Sequence, residues 1–417
     1  MFWSGVLLLL AGWTCVHAVV RYDGHRVLRV VPKTLAEYRR VQKLEAFGEK
    51  DHADIWRSSN GVGSPFDFRV TPEDFNTMTM WLHFYGLQYE VMVKDVEVAA
   101  QKQRQSNNKS TSAIDFDYGK YHDFDEVNQW ITDIAAEYPD FVSVITASQT
   151  YEGRNVRGLK ISVSNATKPS LWYQGGIHAR EWISPATVIY ITAQLLQQYP
   201  TRPEVKEILE GFDIYVVPVL NADGYAYTWT GDRLWRKTRT QHGICKGVDP
   251  NRNYGFQWGE SSGSSGDPCS ETYRGPSAFS EPVIKGVTDF IKDSGVTFKG
   301  FIDFHSYSEV WMTAWGYTTD TPNDFDAQDA SSAAATAAIK AVHGTTYEHG
   351  AIASVLYIAN GNAVDWAYGS MGIKYAATPE LRDKGQYGFL LPADQIIPCG
   401  EETLEGFLAY AKYVLDN

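Results

Sequence analysis

The sequence predicts an α/β fold, a mixed and largely parallel sheet covered by helices on both faces, preceded by a small ferredoxin-like α+β unit. Beyond about residue 118, apolar strand-like runs alternate with helical stretches, the order that lays helices on both faces of a mostly parallel sheet. Before residue 99, shorter segments follow a strand–helix–strand–strand–helix–strand order. A length of 417 residues accommodates both units, since one hydrophobic core rarely serves so long a chain.

In the first unit, residues 19–99, Arg26–Val31 alternates like a strand, and Thr34 with Glu37 opens a helix through Phe47 in capping-box style. Ile55-Trp56 and Phe66–Val70 read as strands, Thr71-Pro72-Glu73-Asp74 starts a second helix, and Tyr89–Val93 is the last strand. No compact catalytic constellation falls here. Residues 100–112 are polar, lack apolar periodicity and carry Lys102, Arg104 and Lys109. They read as a linker open to a trypsin-like protease, the alternative being a tether that is never cut. A small domain, a basic linker and a large domain at 113–417 together have the layout of a zymogen.

In the large unit, Tyr121–Glu126 leads into a helix ending at Tyr138. Strands are expected at Val142–Ala147, Arg157–Val163, Leu171–Gly175, Ile214–Val219, Gly300–Phe304 and Ile373–Ala377. Helices are expected at Pro185–Gln198, Glu281–Asp293, Ser331–Val342 and Glu402–Val414. In such sheets ligands belong outside the carboxyl ends of the strands.

Residues 1–18 read as a secretory signal: Val6–Ala11 is an apolar core too short for a membrane anchor, and Val16-His17-Ala18 suits cleavage. A secreted, extracellular protein with no membrane span is expected. The net charge of −13 argues against nucleic acid and anionic membranes as partners. With Cys15 in the signal, Cys245 and Cys269 can close a Gly/Ser-rich loop by a disulfide, leaving Cys399 as a buried free thiol. Asn108 and Asn165 begin glycosylation sequons.

Candidate chemistry starts at His178 and Glu181, spaced His-x-x-Glu just after the apolar run Leu171–Gly175. An imidazole and a carboxylate there can converge on a borderline cation such as zinc, though the spacing alone is weak and most such pairs are solvated. The strand-end rule adds His305, after Phe301–Phe304, and Glu380, after Ile373–Ala377. A lone histidine after a strand is more often structural; its matching edge position raises its standing. Two histidines, a glutamate and an open position make the stoichiometry of catalytic zinc.

The chain resembles zinc metallocarboxypeptidase precursors of the pancreatic A/B type, for which carboxypeptidase A is itself a standard example of that ligand set. The resemblance lies in Gly176–Trp182, Asn221–Tyr225, Leu234–Arg239, Asp249–Asn253, His305–Ser308, and Glu380–Asp383 running on to Tyr387–Pro392, in the family's order across the large domain. The first unit resembles the family's inhibitory propeptide.

The resemblance implies one zinc held by His178, Glu181 and His305 with water in the fourth position, and Asp249 orienting His178. It makes Glu380 the base that takes a proton from the attacking water, and Arg236 the stabiliser of the tetrahedral intermediate. Arg252, with Asn251 and Tyr357, would hold the substrate's free terminal carboxylate through a guanidinium fork. Arg180, Ser306, Tyr307 and Phe389 match further substrate contacts. The implied partners are peptides or proteins with a free C-terminus and an activating trypsin-like protease, and the enzyme would be a monomer.

Val364 matches the pocket base that is acidic in B-like enzymes, which favours aliphatic or aromatic C-terminal residues, because a Lys or Arg charge would go unpaired. Asp303, two residues before His305, would allow a basic preference if it faced the pocket. Asn362, Ala222 and Pro379 depart from the family's usual residues. An inactive peptide-binding homologue is the other reading, disfavoured because every catalytic position is filled.

Overall fold

The computed structural model describes residues 19–48, 53–105, 116–260 and 262–417. The leader at 1–18 and the sequon at Asn108 lie outside them. In the first unit, β1 (Arg26–Val30), α1 (Leu35–Gly48), β2 (Asp54–Arg57), β3 (Phe66–Val70), α2 (Phe75–Phe84) and β4 (Tyr89–Val93) form an antiparallel sheet in the order β2-β3-β1-β4. This is the ferredoxin-like arrangement. Its helix α1 starts at a modified capping box: the Thr34 hydroxyl accepts from Glu37 N at 3.1 Å, while the Glu37 carboxylate accepts from Lys33 N at 2.7 Å.

Helix α3 (Val96–Gln105) extends into the stretch read as a linker from residue 100. The reason is packing rather than periodicity. Gln103 is buried, and its amide donates to the Leu391 carbonyl of the large unit at 2.8 Å.

The large unit is built on an eight-stranded sheet. Its elements are α4 (Phe124–Glu137), β5 (Val142–Gln149), β6 (Asn155–Ile161), β7 (Ser170–Gly175), α5 (Ile183–Gln198), α6 (Pro203–Gly211), β8 (Asp213–Val217) and α7 (Ala222–Thr230). A small hairpin, β9 (Gln241–His242) and β10 (Cys245–Lys246), leads to α8 (Pro282–Asp293), β11 (Phe298–Ser306), β12 (Val310–Thr313) and α9 (Phe325–His343). Then come β13 (Glu348–Ala351), α10 (Ile352–Val355), α11 (Ala363–Gly369), β14 (Tyr375–Leu381) and α12 (Ile396–Asp416). The sheet order is β13-β12-β14-β11-β7-β8-β6-β5, parallel across its centre from β14 to β8.

Each sheet face buries its own core. Helices α5, α9 and α12 cover one face through residues such as Val188, Ile339 and Phe407. Helices α8 and α11 cover the other through Ile284, Val287 and Trp366. Central strands buried on both faces explain their continuous apolar reading. Helix α4 begins at a full capping box between Asp123 and Glu126.

The structure differs from the sequence reading at the site itself. The last expected strand, Ile373–Ala377, is displaced to Tyr375–Leu381, so Glu380 lies inside β14 rather than after it; His305 likewise lies inside β11. Strands β12 and β13 and helices α6, α7, α10 and α11 have no counterpart among the elements expected from sequence. Strand β13 (Glu-His-Gly-Ala) is a polar edge strand with no hydrophobic alternation to read.

Phe407 is fully buried in α12, with its ring 5.2 Å from that of Tyr173 on β7. Phe407→Ala should cost about 3–5 kcal/mol, read as a lowered denaturation midpoint of the full chain.

Candidate metal centre and active site

Strand β7 ends in a glycine turn that only glycine fits. Gly176 has φ +64°, and a Cβ there would lie 3.1 Å from the Pro185 ring. The turn is pinned by Ser184, whose hydroxyl accepts from Gly176 N at 3.0 Å and donates to the Phe304 carbonyl at 2.6 Å. It thereby ties β7 to β11 and brings His178 and Glu181 over the end of the sheet.

His178, Glu181 and His305 are all buried and offer ligand atoms within 4.8 Å of one another. The His178 and His305 Nδ1 atoms are 3.1 Å apart, and each faces a Glu181 oxygen, at 2.8 and 3.1 Å. Ligands about 2.0–2.1 Å from a tetrahedral zinc would be separated by roughly 3.3 Å, so the three atoms are nearly at that spacing. The outer nitrogens face carboxylates, His178 Nε2 at 3.0 Å from Asp249 and His305 Nε2 at 2.9 Å from Asp303. An acceptor beside each Nε2 favours its proton there, leaving both Nδ1 lone pairs directed at the same point. Two lone pairs and a carboxylate facing one another suit a bound cation.

Asp249 joins this cluster to Arg236. Its Oδ1 accepts from Asn251 N at 2.9 Å and its Oδ2 from Arg236 Nη2 at 2.8 Å. Burial works against its charge, but Arg236, His178 and Arg252 hold its carboxyl well below the usual range.

Glu380 stands beside His305 because the two are parallel register partners on β14 and β11. Register partners on neighbouring strands are about 4.8 Å apart and point to the same face. Burial, and next the negative charge of Glu181, push its carboxyl up to about 8. Its Oε2 is buried without a hydrogen-bond partner.

Asn251, Arg252, Tyr357 and Val364 share one pocket with His178, His305 and Glu380, walled also by Met312, Ile352 and Leu356. Arg252 is fixed by its Nε donating to the Gly263 carbonyl and its Nη1 to the Asn251 carbonyl, both at 2.8 Å. The pocket residues Met312, Ile352 and Leu356 had no sequence signal beyond being apolar.

The first unit lies over this site. Arg180 Nη1 donates to Asp54 at 3.1 Å, and its guanidinium stacks over Phe389 at 4.2 Å. The Tyr307 hydroxyl donates to Asp67 at 2.7 Å, and Trp56 packs on Phe389 with ring centroids 5.0 Å apart. Asn60 reaches the Val355 carbonyl at 2.8 Å, two residues before Tyr357. Ser306 N donates to Glu181 at 3.2 Å. The contacts of Asp54, Asp67, Trp56 and Asn60 with the large unit were not legible in the sequence. Cys245 and Cys269 are disulfide-bonded and Cys399 is a buried free thiol.

The pocket base and Asp303 are the points on which the sequence left two outcomes. Asp303 is fully buried, outside the pocket wall, with its carboxylate against His305 and Gln174. The Asp365 carboxylate accepts from Gly316 N and Tyr317 N and is likewise committed. Asn362 caps α11, accepting from Asp365 N at 2.8 Å.

Known proteins share both units. The carboxypeptidase activation peptide family matches residues 28–103, and the zinc carboxypeptidase family matches residues 127–406. Bovine (Bos taurus) carboxypeptidase A1 is 39% identical over 402 residues, 95% of each chain. Carboxypeptidase B of Astacus astacus is 48% identical over 304 residues, 72% of this chain and 99% of that protein. Among solved structures, thrombin activatable fibrinolysis inhibitor superimposes with TM-score 0.88 at 33% identity, over 95% of this chain and 100% of that one. The carboxypeptidase A of Helicoverpa armigera gives TM-score 0.85 at 30% identity, over 95% and 98%. A cation-ready triad at the end of a mixed sheet, lying beneath a matching activation peptide, agrees with these likenesses: the chain belongs to the zinc carboxypeptidase family and carries its activation peptide.

Proposed function

We propose that the chain, once freed of residues 19–99 by a trypsin-like cut in the basic stretch that follows, removes single C-terminal residues from peptides and prefers aliphatic or aromatic ones. One arrangement carries the reading: Arg252, Asn251 and Tyr357 share a pocket with the metal-ligand histidines His178 and His305 and with Glu380. A terminal carboxylate paired with Arg252 would place the last peptide bond beside His178, His305 and Glu380, and a substrate lacking that carboxylate would forgo the pairing.

Zinc held by His178, Glu181 and His305 would polarise the scissile carbonyl and make water acidic enough to react near neutrality. Glu380 accepts the proton of the attacking water and passes it to the departing amine. Its unpartnered Oε2 supports this role. Arg236, oriented by Asp249, donates to the oxygen on which negative charge develops. Arg180, Ser306, Tyr307 and Phe389 would hold residues preceding the cut bond, and most of these positions are occupied by Asp54, Asp67 and Trp56 in the zymogen.

Met312, Ile352, Leu356 and Val364 give the pocket apolar walls, and neither Asp303 nor Asp365 has a carboxylate free for a substrate cation. A buried Lys or Arg side chain would lose its hydration there without gaining a partner. The likeness to the Astacus carboxypeptidase B supports the opposite preference, for Lys or Arg. Secretion fits the disulfide, and among the described residues no helix is long and apolar enough to cross a membrane.

After tryptic activation, a panel of peptides ending in Phe, Leu, Lys, Arg and Glu should show the highest kcat/KM for Phe and Leu. Highest activity on Lys or Arg would establish the B-like preference, and no hydrolysis of any peptide would leave a peptide-binding homologue. Glu380→Gln should lower kcat by roughly 10²–10⁴-fold with zinc content unchanged. Arg252→Ala should weaken kcat/KM for free-carboxylate peptides by about 10–100-fold while leaving that for C-terminally amidated ones unaltered. In the uncut chain, Asp54→Ala combined with Asp67→Ala should raise activity on small substrates above that of the parent zymogen.

A further inference from the structure

His305 is held on both sides of its ring, and its outer side has two competing neighbours. Asp303 Oδ2 lies 2.9 Å from Nε2, and Asn251 Nδ2 lies 3.3 Å from the same atom. The Asn251 amide cannot be turned, because its Oδ1 accepts from Ala363 N at 2.9 Å. The carboxylate therefore calls for a proton on Nε2, and the amide N–H for a lone pair. The shorter, charge-assisted contact prevails, such bonds being about twice as strong as neutral ones.

The polarity of this contact is set from further back. Trp172 Nε1, which can only donate, gives its hydrogen bond to Gln174 Oε1 at 2.9 Å. That fixes the Gln174 amide with its nitrogen towards Asp303, where Nε2 donates to Oδ1 at 3.1 Å. Gln174 and Asp303 are register partners on β7 and β11, so the sheet itself aligns the relay. Trp172, Gln174 and Asp303 are all fully buried.

We propose that Asp303 is a positioning residue for the metal centre. It holds the proton of His305 on Nε2 and the Nδ1 lone pair inward, as Asp249 does for His178, and it takes no part in choosing the C-terminal side chain. The proposal rests on His305 being a zinc ligand. Both imidazoles are then braced by carboxylates, and zinc retention depends on two brackets rather than one.

The test uses the zinc-loaded full-length chain with Asp303→Asn and Gln174→Met variants, and His305→Ala as the control for the ligand reading. One zinc per wild-type chain and its loss in His305→Ala support that reading. Retention of zinc by His305→Ala removes the reading and the proposal with it. With His305 established, Asp303→Asn should speed zinc release into excess chelator by roughly 10–100-fold, and Gln174→Met by less, in the same direction. The His305 Nε2 proton should resonate far downfield by NMR in the wild type and move upfield in Asp303→Asn, a change that loss of packing alone would not produce. After tryptic activation, the ratio of kcat/KM for Phe-ending and Lys-ending peptides should stay within about twofold of wild type. Wild-type zinc release in both variants, or a larger swing in that ratio, overturns the proposal. Should Asp303→Asn fail to fold, Gln174→Met and the wild-type proton decide it: unchanged release, or a wild-type Nε2 proton with no downfield shift, overturns it.

Discussion

Asp249 is the carboxylate on which the site depends. It is fully buried, and the side chains of Arg236 and His178 reach it at 2.8 and 3.0 Å while Arg252 stands 3.9 Å away. Removing it would leave the buried Arg236 guanidinium without its hydrogen-bonded carboxylate, with only Glu181 at 3.9 Å, a loss of several kcal/mol by the usual cost of breaking an interior ion pair. One side chain thus couples a metal-ligand imidazole with the guanidinium groups of Arg236 and Arg252. Its backbone serves the same end, because the turn Pro250–Arg252 that it caps carries two of the pocket residues.

The activation peptide is joined to this machinery by packing as well as by charge. Val27, Trp56, Val93 and Val96 form one apolar cluster with Leu234, Tyr307, Phe389 and Leu390 of the large unit. Tyr307 and Phe389 are thereby part of an inter-unit core. Arg233 reinforces it from beneath. Its guanidinium donates to Gln103 and to the Arg180 and Phe389 carbonyls at 2.8–3.0 Å, and it stacks on Trp182.

How much of this was legible depended on distance along the chain. The first unit's order and the central strands were readable because burial on both faces leaves a continuous apolar run. The same signal stopped short at His305 and Glu380: each is a polar residue that ends the apolar run, so both were placed after strands that contain them. Asp303 stood out in the sequence as a candidate pocket acid, but its partner could not be named, since Gln174 lies 129 positions away and meets it only through strand register. The same holds for Asp54 and Arg180, 126 positions apart. The pocket walls had no signal at all, because an apolar residue lining a pocket reads the same as one filling a core.

The lateral pairing of His305 with Glu380 has an engineering consequence. Their separation is a lattice constant of the sheet, set by backbone hydrogen bonds between β11 and β14. Insertions in the surrounding loops can reshape what the pocket admits without altering the distance between His305 and Glu380. Reshaping the pocket and preserving the His305–Glu380 spacing are therefore separable problems in this scaffold, one belonging to the loops and the other to the sheet.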